Sequence, residues 1–115
     1  MFKFNKKKLP SRHTTMGADK APQRSFYYAM DLTEKDVAKP FVGVVSTWNE
    51  AAPCNINLMK QGQSVKKGVQ ATGGTPREFC TITVTDGIAM GHEGMKSSLI
   101  SRDVIADSTE LTVRG

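Results

Sequence analysis

Two side chains in this 115-residue sequence have the chemistry of metal ligands. Cys54 follows Pro53 and stands just before a predicted helix, where backbone amides favour the thiolate that binds metals or acts as a nucleophile. Asp86 precedes Gly87, and a carboxylate in this position can bind a hard cation such as Mg²⁺. Two simpler readings stay open: Cys54 as a half-buried small residue, and Asp86 as part of an ordinary Asp-Gly turn.

The glycine-rich segment that begins at Asp86 carries two further groups with acid–base chemistry, His92 and Glu93. They are either proton-transfer groups or a pair of solvated loop residues. The segment lacks the spacing of a P-loop, of GxGxxG and of HExxH. Flexible backbone leading into a helix suits a substrate anion, and the basic residues available to neutralise one are Arg12, His13, Arg24 and Lys96.

Helical and strand patterns predict the elements that must place these residues. A continuous β-branched run over 41–47 is typical of a strand buried on both faces, and a Thr-, Ile- and Val-rich run over 79–85 predicts a second strand. Helices are predicted around them: over 20–30, from Thr33 with a capping box to Asp36, from Asn55 to the glycines before Pro76, and from about Ser97. This βαβ order predicts an α/β fold, the N-terminal portion of a three-layer αβα domain with a mainly parallel sheet that is incomplete in these residues.

Cys54 and Asp86 each follow a predicted strand, and ligands of open α/β sheets bind beyond the carboxyl ends of the strands. If the strands are neighbours, the loops over 48–55 and 86–94 meet at one edge of the sheet. Cys80 lies within the second strand pattern and is expected to be a core thiol. A disulfide between Cys54 and Cys80 is disfavoured, because two cysteines in 115 residues point to a reducing, cytoplasmic setting.

Charge and composition argue against several classes of protein. Residues 1–20 carry six basic residues and one acidic residue, whereas residues 21–115 carry ten of each. This asymmetry predicts a basic extended arm over 1–17 in front of a balanced domain portion over 18–115. A small module that binds nucleic acid or another anion through the arm is the alternative, but a balanced body with 7% aromatic residues argues against it. No apolar run approaches the roughly 18 residues that a membrane helix needs.

Several motifs, in the same order and at compatible spacing, resemble a known family. They are RHTTMG at 12–17, WNE at 48–50, PCN at 53–55, GGTPREF at 73–79, DGIAMGHEGM at 86–95 and SRDVIAD at 101–107. Together they resemble the N-terminal part of the dihydroxy-acid dehydratases, which are related to sugar-acid and phosphogluconate dehydratases. Ala51, Ala52 and Cys80 depart from the family pattern, and none of them falls on an expected ligand position.

The resemblance implies a lyase that converts 2,3-dihydroxy-3-methyl carboxylic acids to 2-keto acids in valine and isoleucine biosynthesis. A sugar-acid or phosphogluconate dehydratase is the alternative within the family. An iron–sulfur cluster (2Fe–2S or 4Fe–4S) held partly by Cys54 and a Mg²⁺ ion held partly by Asp86 are implied. The candidate contacts to the small dihydroxy-acid substrate, or within the loops around it, are Asn49, His92 and Glu93.

By the same resemblance, the remaining ligands and the catalytic residues are expected beyond Gly115. Residues 1–115 alone are therefore expected to be inactive. The full-length protein is expected to be a cytoplasmic homodimer with no nucleic-acid or membrane partner.

Overall fold

The computed structural model describes residues 4–115, so the first three residues of the predicted basic arm lie outside the described residues. Helices precede, connect and follow two strands. In chain order they are α1 (Arg12–Thr15), α2 (Ala21–Ala29), α3 (Glu34–Val37), β1 (Phe41–Ser46), α4 (Leu58–Ala71), β2 (Thr75–Cys80), α5 (Asp86–Ala89) and α6 (Lys96–Arg114). Short 3-10 helices cover Lys6–Lys8, Ala18–Lys20 and Glu93–Met95.

The two strands pair in parallel and α4 is the crossover between them, so the predicted α/β class and βαβ unit are confirmed. Where the strands begin, the Thr75 amide donates to the Pro40 carbonyl at 2.8 Å. Where they end, the Thr81 amide donates to the Ser46 carbonyl at 2.9 Å.

The prediction that β1 is buried on both faces is wrong. Val44 is buried, but Val42 and Val45 are 38% and 39% exposed. Parallel strands become buried only when further strands and two helical layers cover them, and a two-stranded sheet lacks that cover. The fold is accordingly that of an incomplete α/β domain.

The predicted second strand is displaced along the chain. β2 covers Thr75–Cys80, not 79–85, and residues 81–85 form an irregular connection. Pro76 therefore lies inside the strand, where a proline near the first residue is tolerated. The extent of β2 is set by its partner, because β1 ends at Ser46 and leaves residues 82–85 no strand to pair with.

The helix predictions before β1 are confirmed. α2 begins with Pro22 in its first turn. α3 has the predicted capping box: Thr33 Oγ1 accepts from the Asp36 amide at 3.3 Å, and Asp36 Oδ2 accepts from the Thr33 amide at 3.1 Å. The buried Thr75 hydroxyl donates to the Asp36 carbonyl at 2.7 Å, which ties this helix to the start of β2.

Contacts divide the chain into two compact units, one formed by the described residues up to Val42 with Lys66–Arg77, the other by Gly43–Val65 with Glu78–Gly115. In the first unit the rings of Tyr27 and Phe41 pack edge to face, with their centroids 5.2 Å apart. Lys6 Nζ lies 4.3 Å from the Phe41 ring centroid, and partial burial lowers the Lys6 pKa.

The segment predicted as an extended arm contains short helices at Lys6–Lys8 and in α1, and Thr15 in α1 is buried. The division of the chain at residue 17 stays a prediction. Within residues 4–115, no helix is both long enough and apolar enough to cross a membrane.

In the second unit, the long helix α6 begins at Lys96, close to the predicted start at Ser97. Its buried residues are two serines, Ser98 and Ser101. Its apolar residues are mostly exposed, with Ile100 at 65% and Leu111 at 71%. The buried face of α6 is thus polar, and it lies beside the segment that carries Asp86.

Candidate functional site

Cys54 lies on the surface of the loop that joins β1 to α4. The helix begins at Leu58, not at Asn55 as predicted, so Cys54 sits in a turn four residues before α4. The predicted place of Cys54 at the N-terminus of this helix is therefore wrong. The thiol is exposed and free, and is accessible as a metal donor.

Hydrogen bonds within the loop hold the chain on both sides of Cys54. The Asn55 side-chain Nδ2 donates to the Thr47 carbonyl at 2.7 Å and to the Thr47 hydroxyl at 2.6 Å. The Asn49 side-chain oxygen accepts from the Ala51 amide at 2.7 Å, as in an Asx turn. Ala52, in the same loop, is 1% exposed. Cys54 is therefore presented by a fixed turn.

Asp86 is the first residue of α5, six positions after the end of β2, so the prediction that it comes directly after a strand is wrong. Its carboxylate is exposed, and Oδ1 accepts a hydrogen bond from Ser98 Oγ of α6. No other hydrogen bond or ion pair to the Asp86 side chain occurs among residues 4–115. The second carboxylate oxygen is thus available to a ligand.

His92 is held by two contacts inside the glycine-rich segment. Its Nδ1 accepts from the Gly94 amide at 3.0 Å, so the ring proton lies on Nε2, which is 3.1 Å from the Ile88 carbonyl. A Cβ at Gly94 would lie 2.5 Å from His92 Cε1, so a larger residue at this position would displace the imidazole. Both ring nitrogens are engaged, and the ring caps the 3-10 helix Glu93–Met95.

Glu93 and two of the predicted anion-binding residues, Lys96 and Arg24, have polar partners within the chain. Glu93 Oε2 pairs with Lys96 Nζ at 2.5 Å in an exposed ion pair. Arg24 donates to the Gly17 carbonyl at 2.6 Å and helps to line a cavity of about 520 Å³ in the first unit, with Lys6 and Tyr28. Arg12 and His13 also belong to the first unit and are exposed.

Cys80 is exposed at the end of β2, so the prediction of a core thiol is wrong. Its Sγ forms a hydrogen bond of 3.7 Å with Ser46 Oγ, at the end of β1. Cys80 and Cys54 are both free. In the part of the chain that the structure describes, no three His, Cys, Asp or Glu side chains are grouped so as to hold a metal ion.

Two residues of the site were missed by sequence reasoning. Asn55 closes the loop around Cys54, and Ser98 binds Asp86. An asparagine next to the cysteine was a usable signal, because such side chains commonly bond to loop backbone. Nothing in the sequence around Ser98, apart from its place near a helix start, indicated a role at the site, because its partner Asp86 lies in another helix.

The fold and this geometry define an α/β domain that offers a sulfur donor in the loop after β1 and a carboxylate donor at the start of α5. Residues 39–115 match the family model described as dihydroxy-acid/6-phosphogluconate dehydratase, N-terminal. The chain belongs to this family, and the resemblance of its motifs is confirmed.

Relatives with the same domain agree along nearly the whole chain. The chain is 89% identical over 115 residues to a dihydroxy-acid dehydratase of Pelagibacter ubique (strain HTCC1062), with 100% of the chain and 20% of that protein aligned. It is 75% identical over 112 residues to a dihydroxy-acid dehydratase of Parvibaculum lavamentivorans, with 97% and 19% aligned. It is 57% identical over 99 residues to a dihydroxy-acid dehydratase of Metallosphaera sedula, with 86% and 18% aligned. The chain spans about a fifth of the length of these relatives.

Proposed function

We propose that this chain is the N-terminal part of a hydro-lyase that dehydrates 2,3-dihydroxy-3-methyl carboxylic acids to 2-keto acids in valine and isoleucine biosynthesis. The observation that carries this proposal is the 89% identity, over all 115 residues, to a protein named dihydroxy-acid dehydratase. A sugar-acid or phosphogluconate dehydratase is the second candidate, because the name of the matching family model includes 6-phosphogluconate dehydratase.

Cys54 is proposed as one ligand of an iron–sulfur cluster, of either the 2Fe–2S or the 4Fe–4S type. Thiolates are the usual protein ligands of such clusters. The exposed thiol and the turn fixed by Asn55 support this role. Cys80 is also exposed, but it departs from the family pattern and is not proposed as a ligand.

Asp86 is proposed as one ligand of Mg²⁺. Hard carboxylate oxygens suit this ion, and Mg²⁺ sites in proteins commonly use one or two carboxylates together with water and substrate. The exposed carboxylate, with one oxygen held by Ser98 and the other open, supports the assignment. The other ligands of both metals belong, by the resemblance, to the rest of the full-length protein.

The reaction removes a proton from C2 and a hydroxide from C3 of the substrate, and the resulting enol tautomerises to the 2-keto acid. The bound metals supply Lewis acidity toward the departing hydroxyl and the charge that develops on the substrate. In this chain Cys54 would hold the cluster and Asp86 would hold Mg²⁺, and neither residue transfers the proton. Asn49 and Glu93 are proposed substrate contacts, and His92 is proposed as a loop contact that holds the Gly94 backbone.

The metal assignment is tested in the full-length enzyme with Cys54→Ser and a matched variant, Cys80→Ser. Both substitutions remove a free, exposed thiol. We expect Cys54→Ser to lose the visible cluster absorbance and bound iron, and Cys80→Ser to keep both. Equal cluster content in the two variants would show that Cys54 is not a ligand.

The substrate class is tested by assaying the same native enzyme on 2,3-dihydroxyisovalerate and on sugar acids with and without phosphate. We expect turnover of the branched dihydroxy acid, and faster turnover of a sugar acid would establish the second candidate. A polypeptide of residues 1–115 is expected to show no turnover. The full-length protein is further proposed to be a cytoplasmic homodimer, which light scattering and cell fractionation would check.

A further inference from the structure

We propose that Ser98 is the positioning residue for Asp86, and that its hydroxyl fixes the carboxylate in the orientation that binds a divalent cation. This inference rests on the proposed function, in which Asp86 is a Mg²⁺ ligand. It is carried by the hydrogen bond from Ser98 Oγ to Asp86 Oδ1, which joins the first turn of α6 to the first residue of α5.

Ser98 behaves differently from the other bonded hydroxyls of its helix. A serine or threonine within a helix commonly donates to a carbonyl three or four residues earlier. Four hydroxyls of α6 do so at 2.6 to 3.0 Å, namely those of Ser101, Ser108, Thr109 and Thr112. The hydroxyl of Ser98 instead donates to a carboxylate of another helix, Asp86 of α5. This indicates a role other than hydrogen bonding to the backbone of α6.

The burial of Ser98 means that its hydroxyl needs a hydrogen-bond partner within the protein. Ser98 is 5% exposed, and Ser101, one turn later, is 8% exposed. The Ser101 hydroxyl donates to the Ser98 carbonyl at 2.6 Å, so the two serines share the buried face of the helix. A buried hydroxyl without a partner carries a free-energy cost, and Asp86 Oδ1 is the acceptor that Ser98 finds.

A serine suits this task chemically. A hydroxyl has a single proton to donate, so it occupies one acceptor site of the carboxylate and leaves the other oxygen for a metal. A hydroxyl is also neutral, whereas a lysine or arginine would compete with the cation for the negative charge of Asp86. Groups that hydrogen-bond to metal ligands orient them, and their removal typically lowers metal affinity by about 10- to 100-fold.

The test uses the full-length enzyme, freed of Mg²⁺ by gel filtration and titrated with Mn²⁺, with free Mn²⁺ measured by electron paramagnetic resonance. The variants are Ser98→Ala, Ser98→Thr and Asp86→Asn. Ser101→Ala is the matched control, because it removes a buried hydroxyl from the same face of α6 without touching Asp86. Visible absorbance of the cluster in each variant reports whether the fold and the other metal site are intact.

We expect Ser98→Ala to weaken Mn²⁺ binding by about 10- to 100-fold, Ser98→Thr to restore most of the affinity, and Ser101→Ala to leave it unchanged. If Ser98→Ala does not fold, Ser98→Cys replaces the donor by a weak one, and a smaller loss in the same direction is expected.

Unchanged affinity in Ser98→Ala, with Asp86→Asn impaired, would overturn the inference and leave the proposed function standing. An equal loss in Ser101→Ala would overturn it as well, because the effect would then come from packing. Native affinity in Asp86→Asn would overturn the Mg²⁺ assignment itself and this inference with it.

Discussion

The side chain of Asn55 binds Thr47 through two hydrogen bonds, at 2.7 Å to the carbonyl oxygen and 2.6 Å to the hydroxyl. These bonds join the two ends of the loop that carries Cys54. Asn55, the residue next to Cys54, thus closes the loop. The position of the Cys54 thiol therefore depends on the Asn55 side chain, which is not a proposed metal ligand.

Asn55→Ala is expected to loosen this loop. Two lost hydrogen bonds correspond to roughly 1–3 kcal/mol in the free energy of unfolding, and we expect the full-length enzyme to bind less iron. Urea unfolding and iron content per protomer measure the two effects. Gln61→Ala removes an exposed amide from α4 and serves as the control. Equal iron content in the two variants would contradict the anchoring role of Asn55.

Two glycines of the first unit should respond in opposite ways to alanine. A Cβ at Gly68, inside α4, meets nothing within 4 Å, so Gly68→Ala should stabilise the helix by about 0.8–1 kcal/mol. A Cβ at Gly74 would lie 2.9 Å from Val69 Cγ1 and 3.2 Å from Val42 Cγ2. Gly74→Ala should therefore destabilise by about 1–3 kcal/mol. Unfolding midpoints in urea measure the change in stability of each variant. Midpoint shifts of the same sign in both variants would contradict the prediction.

Acid should weaken the capping box of α3. Hydrogen bonds from the hydroxyl and amide of Thr33, with a contribution from Lys39, lower the pKa of Asp36 to about 2. Since a free aspartate titrates near 3.9, the stabilisation is complete above about pH 4 and is lost as the pH falls toward 2. Asp36→Asn should cost about 1 kcal/mol near neutral pH, and the difference from native should shrink in acid.

Urea unfolding between pH 3 and pH 7 measures this dependence. Asp31→Asn is the matched control, because the Asp31 side chain makes no hydrogen bond or ion pair among the described residues. A cost for Asp36→Asn that stays constant with pH would contradict the ionised capping box.

His92→Asn should separate a positioning role from proton transfer. An asparagine oxygen can accept from the Gly94 amide as Nδ1 does, but it cannot act as a base. We expect kcat of the full-length enzyme to fall by less than about 100-fold, the lower limit typical of a lost general acid or base. A larger fall, together with loss of one limb of the pH–rate profile, would assign proton transfer to His92.

Local patterns were predictable from the sequence, and pairings between distant segments were not. The capping box of Thr33 and Asp36 needs only four consecutive residues, and it forms as predicted. The bounds of β2 depend on where β1 ends, so a β-prone run over 82–85 stays unpaired. The exposure of Cys80 and the bond between Ser98 and Asp86 depend on tertiary surroundings that no periodicity encodes.

The parallel pairing of β1 with β2 also constrains how the chain folds. Its hydrogen bonds from Thr75 to Pro40 and from Thr81 to Ser46 join residues far apart in sequence, on either side of the whole crossover helix. Closing such a loop costs conformational entropy before hydrogen bonds between the strands can offset that cost. Helical turns such as α2 and α4 are therefore expected to appear early during refolding, while the sheet, and with it the loops that present Cys54 and Asp86, is assembled late.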